Sequence, residues 1–181
     1  MDDTELLRYS RQIMLPELDI AGQQRLANAA VLIVGLGGLG SPLALYLASS
    51  GVGELVLVDD DHVDESNLQR QIVHTEASIG ANKAESAAAR IHALNNSTKL
   101  TSITHRLERK EFAELLETVQ LVFDATDNLA SRHFLNEMCW RNGVPLVSGA
   151  AIQWQGQVTL LDPNYKRSPC YRCMYPSDDE A

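Results

Sequence analysis

The chain has 181 residues, of which 45% are hydrophobic and 22% are charged, a balance typical of a folded globular domain. Its net charge of −9 argues against non-specific binding to nucleic acid or to an anionic membrane, because both carry charge of the same sign. Three unevenly spaced cysteines and an acidic start indicate neither a secreted disulfide framework nor a signal peptide, so we expect a cytoplasmic protein.

The first third of the chain predicts helices, a strand and a glycine-rich turn. Residues 3–28 favour two short amphipathic helices on either side of Pro16. The stretch from 26 to 53 has no charged residue and is long enough to span a bilayer, but the glycine turn and Pro42 interrupt it. The predicted elements are therefore a buried strand at 31–34, a glycine turn at 35–40 and a helix near 39–50.

Strands and helices alternate through the rest of the chain. Strands are predicted at 54–58, 100–106, 121–124, 145–148 and 150–161, with Gly156 as a turn or bulge, and helices at 83–94 after a capping Asn82, near 109–117 and at 129–142. This alternation predicts an α/β fold of the Rossmann-like, doubly wound type, with a mainly parallel sheet and helices on both faces. We assign residues 1–162 to one domain and expect residues 163–181 to form a polar, non-helical tail.

The strongest local signal is the pattern of Gly35, Gly37 and Gly40 between a predicted strand and a predicted helix. Glycines there permit a tight turn and let backbone N–H groups approach a phosphate, while the helix N-terminus adds partial positive charge. Asp59 ends the second strand about 20 residues later, where an acidic residue accepts hydrogen bonds from ribose hydroxyls. The alternatives are a structural turn without a ligand and, for Asp59, a helix cap or a solvated turn.

The polar loop that follows favours a triphosphate over a dinucleotide. Ser66, Asn67, Gln69 and Arg70 lie in this loop, and Lys83 starts the next helix. Arg70 and Lys83 supply positive charge that suits a triphosphate, which a nicotinamide dinucleotide lacks. If both were ordinary surface charges, the glycine turn would suit a dinucleotide-dependent oxidoreductase, which is the main alternative function.

Acidic and amide side chains follow the buried strand predicted at 121–124. Asp127 lies three residues after its end, at the edge of the sheet where ligands bind in folds of this type. A carboxylate there can hold Mg²⁺ directly or through water. Asp127 or Asn128 can also cap the next helix, and Asp124 is a weaker metal candidate.

Cys170 and Cys173 form a CxxC pair, whose spacing suits two ligands of a tetrahedral zinc site. Two thiolates leave such a site half filled. A redox CxxC normally opens a helix, but the tail beyond Pro169 does not predict one. Cys139 lies within a predicted helix and is interpreted as a buried small hydrophobic residue.

These motifs together resemble those of the MoeB/ThiF adenylyltransferases, which are related to ubiquitin-activating enzymes. The resemblance covers essentially the whole chain. It is carried by residues 8–12, 35–40, 66–71, 83, 124–128 and 170–173.

The resemblance implies that ATP and Mg²⁺ are used to adenylate the C-terminal glycine carboxylate of a small ubiquitin-like sulfur-carrier protein, with release of pyrophosphate. The pathway would be thiamine, molybdopterin or tRNA thiolation, with a sulfurtransferase or cysteine desulfurase as a further partner. The implied roles are phosphate binding for Gly38, ribose binding for Asp59, triphosphate orientation for Asn67, Arg70 and Lys83, Mg²⁺ binding for Asp127, and contact with ATP across a homodimer for Arg11.

One departure from the family pattern concerns the end of the chain. Family members continue with a second CxxC and a cysteine-containing crossover loop, so we expect a truncated or partial chain that holds half of a structural Zn²⁺ site. The persulfide-forming cysteine would lie beyond Ala181, and Cys139 does not match it. A further alternative is the inactive subunit of an activating-enzyme heterodimer, but such subunits lose the arginine and magnesium-binding residues that are present here.

Overall fold

The computed structural model of the chain describes residues 1–165 and 168–176. Its helices are α1 (Asp3–Arg8), α2 (Ser10–Ile13), α3 (Asp19–Ala27), α4 (Gly40–Ser49), α5 (Lys83–Leu94), α6 (Arg109–Leu116), α7 (Leu129–Asn142) and α8 (Tyr171–Met174). Its strands are β1 (Ala30–Val34), β2 (Glu54–Val58), β3 (Lys99–Ile103), β4 (Leu121–Asp124), β5 (Leu146–Ile152) and β6 (Gln155–Leu161). Two short 3₁₀ turns, Glu65–Asn67 and Glu76–Ser78, lie between β2 and α5.

The six strands form one sheet in the order β3-β2-β1-β4-β5-β6. Neighbouring strands are parallel from β3 to β5, and β6 runs antiparallel to β5. The chain moves outward from β1 to β3 and then returns to the other side of β1 with β4. The strand order therefore reverses between β1 and β4, which is where doubly wound sheets bind ligands. The predicted Rossmann-like α/β fold is confirmed.

The apolar run of β1 supplies side chains to two separate cores, one on each face of the sheet. Leu32 belongs to the buried cluster that includes Phe112 of α6, and Ile33 belongs to the cluster that includes Ala44 of α4 and Ile91 of α5. Because helices cover both faces, the strand needs no alternation of apolar and polar residues. Each fully buried aliphatic side chain contributes about 1.5–3 kcal/mol.

Local sequence signals set the ends of two helices as predicted. The Asn82 side chain caps α5 by accepting hydrogen bonds from the N–H groups of Ala84 and Glu85, at 2.8 and 3.4 Å. Gly143 follows α7 with a φ of +70°, in the left-handed region that favours glycine at a helix end.

The final hairpin differs from its prediction. β5 continues to Ile152, and a two-residue turn at 153–154 connects it to β6. Gln153 adopts a φ of +55° there, so a residue other than glycine makes the turn. Gly156 lies within β6, paired with Ala151, and its prediction as a turn is wrong.

Other predicted boundaries also shift. The N-terminal segment contains three helices rather than two, and β3 ends at Ile103 rather than near residue 106. The prediction of a non-helical tail is wrong for α8, because Tyr171 is buried against α7 and its N–H donates to the Asn136 side chain at 2.7 Å. Residues 166, 167 and 177–181 of the predicted tail lie outside the described part of the chain. Within that part, no helix combines the length and the apolar character needed to cross a membrane.

Candidate functional site

A cleft of about 1480 Å³ opens at the carboxyl ends of β1, β2 and β4, where the strand order reverses. This is ample space for a nucleoside triphosphate. The predicted site residues that line it are Gly35, Gly37, Gly38, Asp59, Arg70, Lys83, Asp127 and Asn128. Those that do not line it are Arg11, Gly40, Ser66, Asn67, Gln69, Asp124, Cys170 and Cys173.

Two glycines are required by the shape of the turn between β1 and α4. Gly35 has a φ of +94°, and a Cβ there would lie 2.7 Å from the carbonyl oxygen of Ala125 in the loop after β4. A Cβ at Gly40 would lie 1.8 Å from the carbonyl oxygen of Gly35. These glycines let the turn close tightly against the loop that carries Asp127.

Two other glycines are not required by packing within the chain. A Cβ at Gly37 would come no closer than 3.6 Å to a side-chain atom of Gln71, and one at Gly38 no closer than 3.5 Å to Arg70. Among the described residues, no acceptor is paired with the backbone N–H of Gly37 or Gly38. Bare backbone with free N–H groups in a cleft is suited to a bound phosphate.

Asp59 connects β2 to the glycine turn. Its Oδ2 accepts the N–H of Leu36 at 2.6 Å, and its Oδ1 accepts the N–H of Asp61 at 2.9 Å. Each carboxylate oxygen retains a lone pair after these bonds. Asp59 is therefore fixed at the mouth of the cleft and able to accept a hydroxyl hydrogen bond.

Arg70 extends over the glycine turn from the loop before α5. Its Nη2 donates to the Asn67 side-chain oxygen at 2.9 Å, and the same oxygen accepts from Gln71 at 3.2 Å. Asn67 therefore fixes the loop through these hydrogen bonds and does not line the cleft. The Gln69 amide donates to the Ser66 carbonyl at 3.3 Å. Within the described chain no carboxylate lies in ion-pair contact with Arg70, so its charge is available to an anion.

Lys83 differs from Arg70 because its charge is already paired. Its Nζ lies 2.5 Å from Oδ2 of Asp61, and only 7% of the side chain is exposed. The hydrogen bond from Lys83 is the main cause that lowers the pKa of Asp61. The ammonium group has three donors, so this contact leaves donors for a ligand in the cleft.

The two acidic metal candidates have different surroundings. Asp127 is exposed and contacts the Asn128 amide at 3.4 Å, while Asn128 caps α7 through the N–H of Ser131 at 2.9 Å. Asp124 is 2% exposed, and its oxygens accept hydrogen bonds from Thr126 and from the Ser148 hydroxyl. Asp127 is therefore free to hold a cation, whereas Asp124 is committed to the structure of the loop.

Two further polar residues of the cleft were not predicted as ligands. Gln71 is 4% exposed, and neither its Oε1 nor the buried Nε of Arg132 has a hydrogen-bond partner among residues 1–165 and 168–176. Arg132 donates to the Thr126 carbonyl at 2.8 Å and to the Tyr171 hydroxyl at 3.4 Å. One feature of the sequence could have identified Arg132 as a site residue. It is a cation in the first turn of a predicted helix, where the helix dipole disfavours positive charge.

The cysteines lie apart from the cleft. The Sγ atoms of Cys170 and Cys173 are 3.3 Å apart at the start of α8. Burial alone raises the pKa of Cys170, but hydrogen bonds from Cys173 and Asn136 outweigh it, so the pKa is lowered. Burial raises the pKa of Cys139 to about 12, which makes that thiol unreactive.

Arg11 is exposed on α2 and does not line the cleft of its own chain.

No described group of three or more His, Cys, Asp or Glu side chains is arranged to hold a metal ion. The cysteine pair therefore stands without further ligands in the described part of the chain.

Comparison with known proteins identifies relatives over almost the whole chain. The family model described as the ThiF family matches residues 9–181. The SAMP-activating enzyme E1 of Haloferax volcanii is 46% identical over 180 residues, which are 99% of this chain and 66% of that protein. The adenylyltransferase and sulfurtransferase MOCS3 of Dictyostelium discoideum is 45% identical over 173 residues, which are 96% of this chain and 40% of that protein.

A solved structure with the same fold contains a nucleotide. The crystal structure of E. coli MccB with ATP matches with a TM-score of 0.78 and 26% identity, over 94% of this chain and 52% of that one. The chain thus spans 66% or less of the length of each of these three relatives.

Proposed function

The chain belongs to the ThiF family, and on that premise we propose that it is a nucleotidyltransferase that adenylates a carrier protein. Its substrates are ATP and the C-terminal glycine carboxylate of a small ubiquitin-like sulfur carrier ending in Gly-Gly. One observation carries this proposal: the glycine turn, Arg70, Lys83 and Asp127 line a single cleft. A dinucleotide-binding oxidoreductase gives no reason for two cations and an exposed carboxylate to meet there.

In the proposed reaction the carrier carboxylate attacks the α-phosphorus of ATP. A phosphorus–oxygen bond forms to the carboxylate, the bond to the β-phosphate bridge breaks, and pyrophosphate leaves. The free N–H groups of Gly37 and Gly38 and the guanidinium of Arg70 bind phosphate oxygens, and Lys83 shares its charge between Asp61 and the triphosphate. The step needs no covalent enzyme nucleophile, because alignment and charge neutralisation suffice.

Asp127 is suited to a magnesium site. Its carboxylate is exposed in the cleft, and among the described residues its one hydrogen-bond contact is a long one with the neighbouring Asn128 amide. Carboxylate oxygens with room for water are what Mg²⁺ prefers. When bound, Mg²⁺ would neutralise charge on the triphosphate. Asp124 does not fit this role because its oxygens are occupied.

The cysteine pair fits only half of a structural zinc site. Cys170 and Cys173 supply two sulfur ligands, whereas such a site uses four. We propose that residues 1–162 form the adenylation domain and that the segment from 163 carries this half-site as an appendage.

The proposed assembly is a cytoplasmic homodimer. Arg11 is exposed and does not line its own cleft, which suits a side chain that reaches the ATP of the other subunit. The further partners are the carrier and a sulfurtransferase or cysteine desulfurase, within the thiamine, molybdenum-cofactor or tRNA-thiolation pathways.

A pyrophosphate exchange assay tests the function. ATP and a Gly-Gly-ending carrier should together give exchange, and a carrier lacking the terminal glycines is the matched control. Tight binding of NAD without pyrophosphate exchange would contradict the proposed function.

Single substitutions test the assigned residues in the same assay. Arg70→Ala and Asp127→Ala should each lower exchange by about 10²–10³-fold, as expected for loss of one group that stabilises transition-state charge. Arg90→Ala, an exposed arginine on α5, is the control and should leave exchange unchanged. Wild-type exchange in a folded Arg70 or Asp127 variant removes that residue from the mechanism.

A further inference from the structure

His74 lies beneath the glycine turn and is only 5% exposed. Its Nε2 is 3.0 Å from the carbonyl oxygen of Leu36, and its Nδ1 is 2.9 Å from the hydroxyl of Ser86. Its backbone N–H donates to the carbonyl of Gln71 at 3.0 Å. One residue thus contacts the glycine turn, helix α5 and the loop segment that carries Arg70.

The partners of the imidazole determine its tautomer. The Leu36 carbonyl has only lone pairs, so Nε2 must carry a proton and donate it. In the neutral ring Nδ1 is then an acceptor, and the Ser86 hydroxyl donates to it. Both ring nitrogens are satisfied when His74 is neutral, so the ring is a fixed support between two elements.

The bond from His74 orients the peptide group that joins Leu36 to Gly37. The Leu36 carbonyl also accepts the Ser41 hydroxyl at 3.0 Å, and the Leu36 N–H is held by Asp59. In a planar trans peptide the carbonyl and the following N–H point in opposite directions. A Leu36 carbonyl held toward the interior therefore turns the Gly37 N–H toward the cleft, and within the described chain this N–H has no acceptor.

We propose that His74 is a positioning residue for the triphosphate. The imidazole holds the Leu36 carbonyl and thereby presents the Gly37 N–H to a phosphate oxygen. The inference rests on the proposed use of ATP. His74 also ties this peptide to α5, whose first residue is Lys83, through a serine one turn further along the helix. His74 does not line the cleft and has no hydrogen bond to Asp127 among the described residues, so we expect it to act on phosphate binding through the Leu36–Gly37 peptide group.

Two substitutions separate the bonds that His74 makes. His74→Gln places an amide N–H near the position of Nε2 and keeps the bond to Leu36, whereas His74→Asn reaches only the Nδ1 position and keeps the bond to Ser86. We expect ATP affinity to fall about tenfold in His74→Asn and to stay within about threefold of wild type in His74→Gln, as expected for one hydrogen bond to phosphate. Adenosine lacks phosphate, so its affinity for both variants should equal its affinity for the wild type.

Calorimetric dissociation constants for ATP and adenosine decide between the outcomes. A parallel loss of adenosine and ATP affinity, or equal ATP affinity in the Asn and Gln variants, overturns the role of His74. Ser86→Ala, which keeps the Leu36 bond, should retain ATP affinity, and a loss matching that of His74→Asn also overturns it. His92→Asn, an exposed histidine on α5, is the matched control. Absence of ATP binding by the wild type would instead reject the proposed function.

Discussion

The charge of individual residues explains how an acidic protein can hold a polyanion. Lys83 is paired with Asp61, but Arg70 and Arg132 bond only to neutral groups among the described residues. In the described part of the chain, two guanidinium groups of the cleft therefore lack a counter-charge, although the chain carries a net charge of −9. Local charge in a cleft, rather than net charge, determines the ligand it attracts.

At the same scale, His74 should make the free energy of unfolding depend on pH. Burial lowers its pKa below the ordinary value of 6.5, and Lys83 lowers it further, while the Leu36 carbonyl and Asp59 act in the opposite direction. Because the pKa is lower in the folded chain, the unfolded chain binds more protons as the pH falls. The stability contribution is complete above 6.5 and is lost as the pH falls through the lowered pKa.

Urea unfolding at pH of about 7.5 and about 5.5 measures this effect. The wild type should lose more stability between the two than His74→Gln, which has no titrating group at this position. Identical losses in the two proteins would show that other groups carry the pH dependence.

Among the elements, the turn between β1 and α4 depends on glycine for two separable reasons. Gly35 combines a positive φ with close approach to the loop after β4. Gly80 also has a positive φ, of +83°, but a Cβ there would meet nothing within 4 Å. The two positions therefore separate backbone strain from packing.

Gly80→Ala should cost about 1–2 kcal/mol, which is the strain of a left-handed conformation with a Cβ. Gly35→Ala should cost more, because its Cβ must also displace the backbone of Ala125 and hence the loop that carries Asp127. Free energies of unfolding from urea titration provide the measurement. Equal costs at both positions would mean that the contact with Ala125 relaxes freely.

At the scale of the whole molecule, the position of Arg11 bears on whether two subunits together form each site. It is exposed on α2, outside the cleft that contains Lys83 and Asp127. Closed dimers place the same patch of both subunits at one interface, so each subunit can complete the site of the other. The proposed dimer gives Arg11 a role that the single chain does not.

Complementation tests this sharing of sites. Arg11→Ala and Lys83→Ala should each be inactive alone, but their mixed dimers contain one intact site. After subunits are mixed equally, exchange should recover to about a quarter of the wild-type level, since half of the dimers are mixed and half of their sites are intact. No recovery, with mixed dimers demonstrated by differential tags, would place Arg11 outside the shared site.

The elements that the sequence predicted well are those with strong local causes. The strands β1, β2 and β4 are short apolar runs, Asn82 and Gly143 set helix ends through their own chemistry, and the glycine turn needs its glycines. The elements that it missed depend on distant contacts. The hairpin turn at 153–154 follows from the register of β6 against β5, and α8 forms because Tyr171 is buried on α7.

The sequence by itself therefore determined the fold class and the types of residue available for nucleotide chemistry, because apolar period, caps and glycines act over a few neighbouring residues. The tertiary structure decided which of these residues meet. It paired Lys83 with Asp61, committed Asp124 to its own loop, and brought His74 beneath Leu36. The physical reason is that charge pairing and burial depend on distances between segments far apart in the chain, which no local pattern contains.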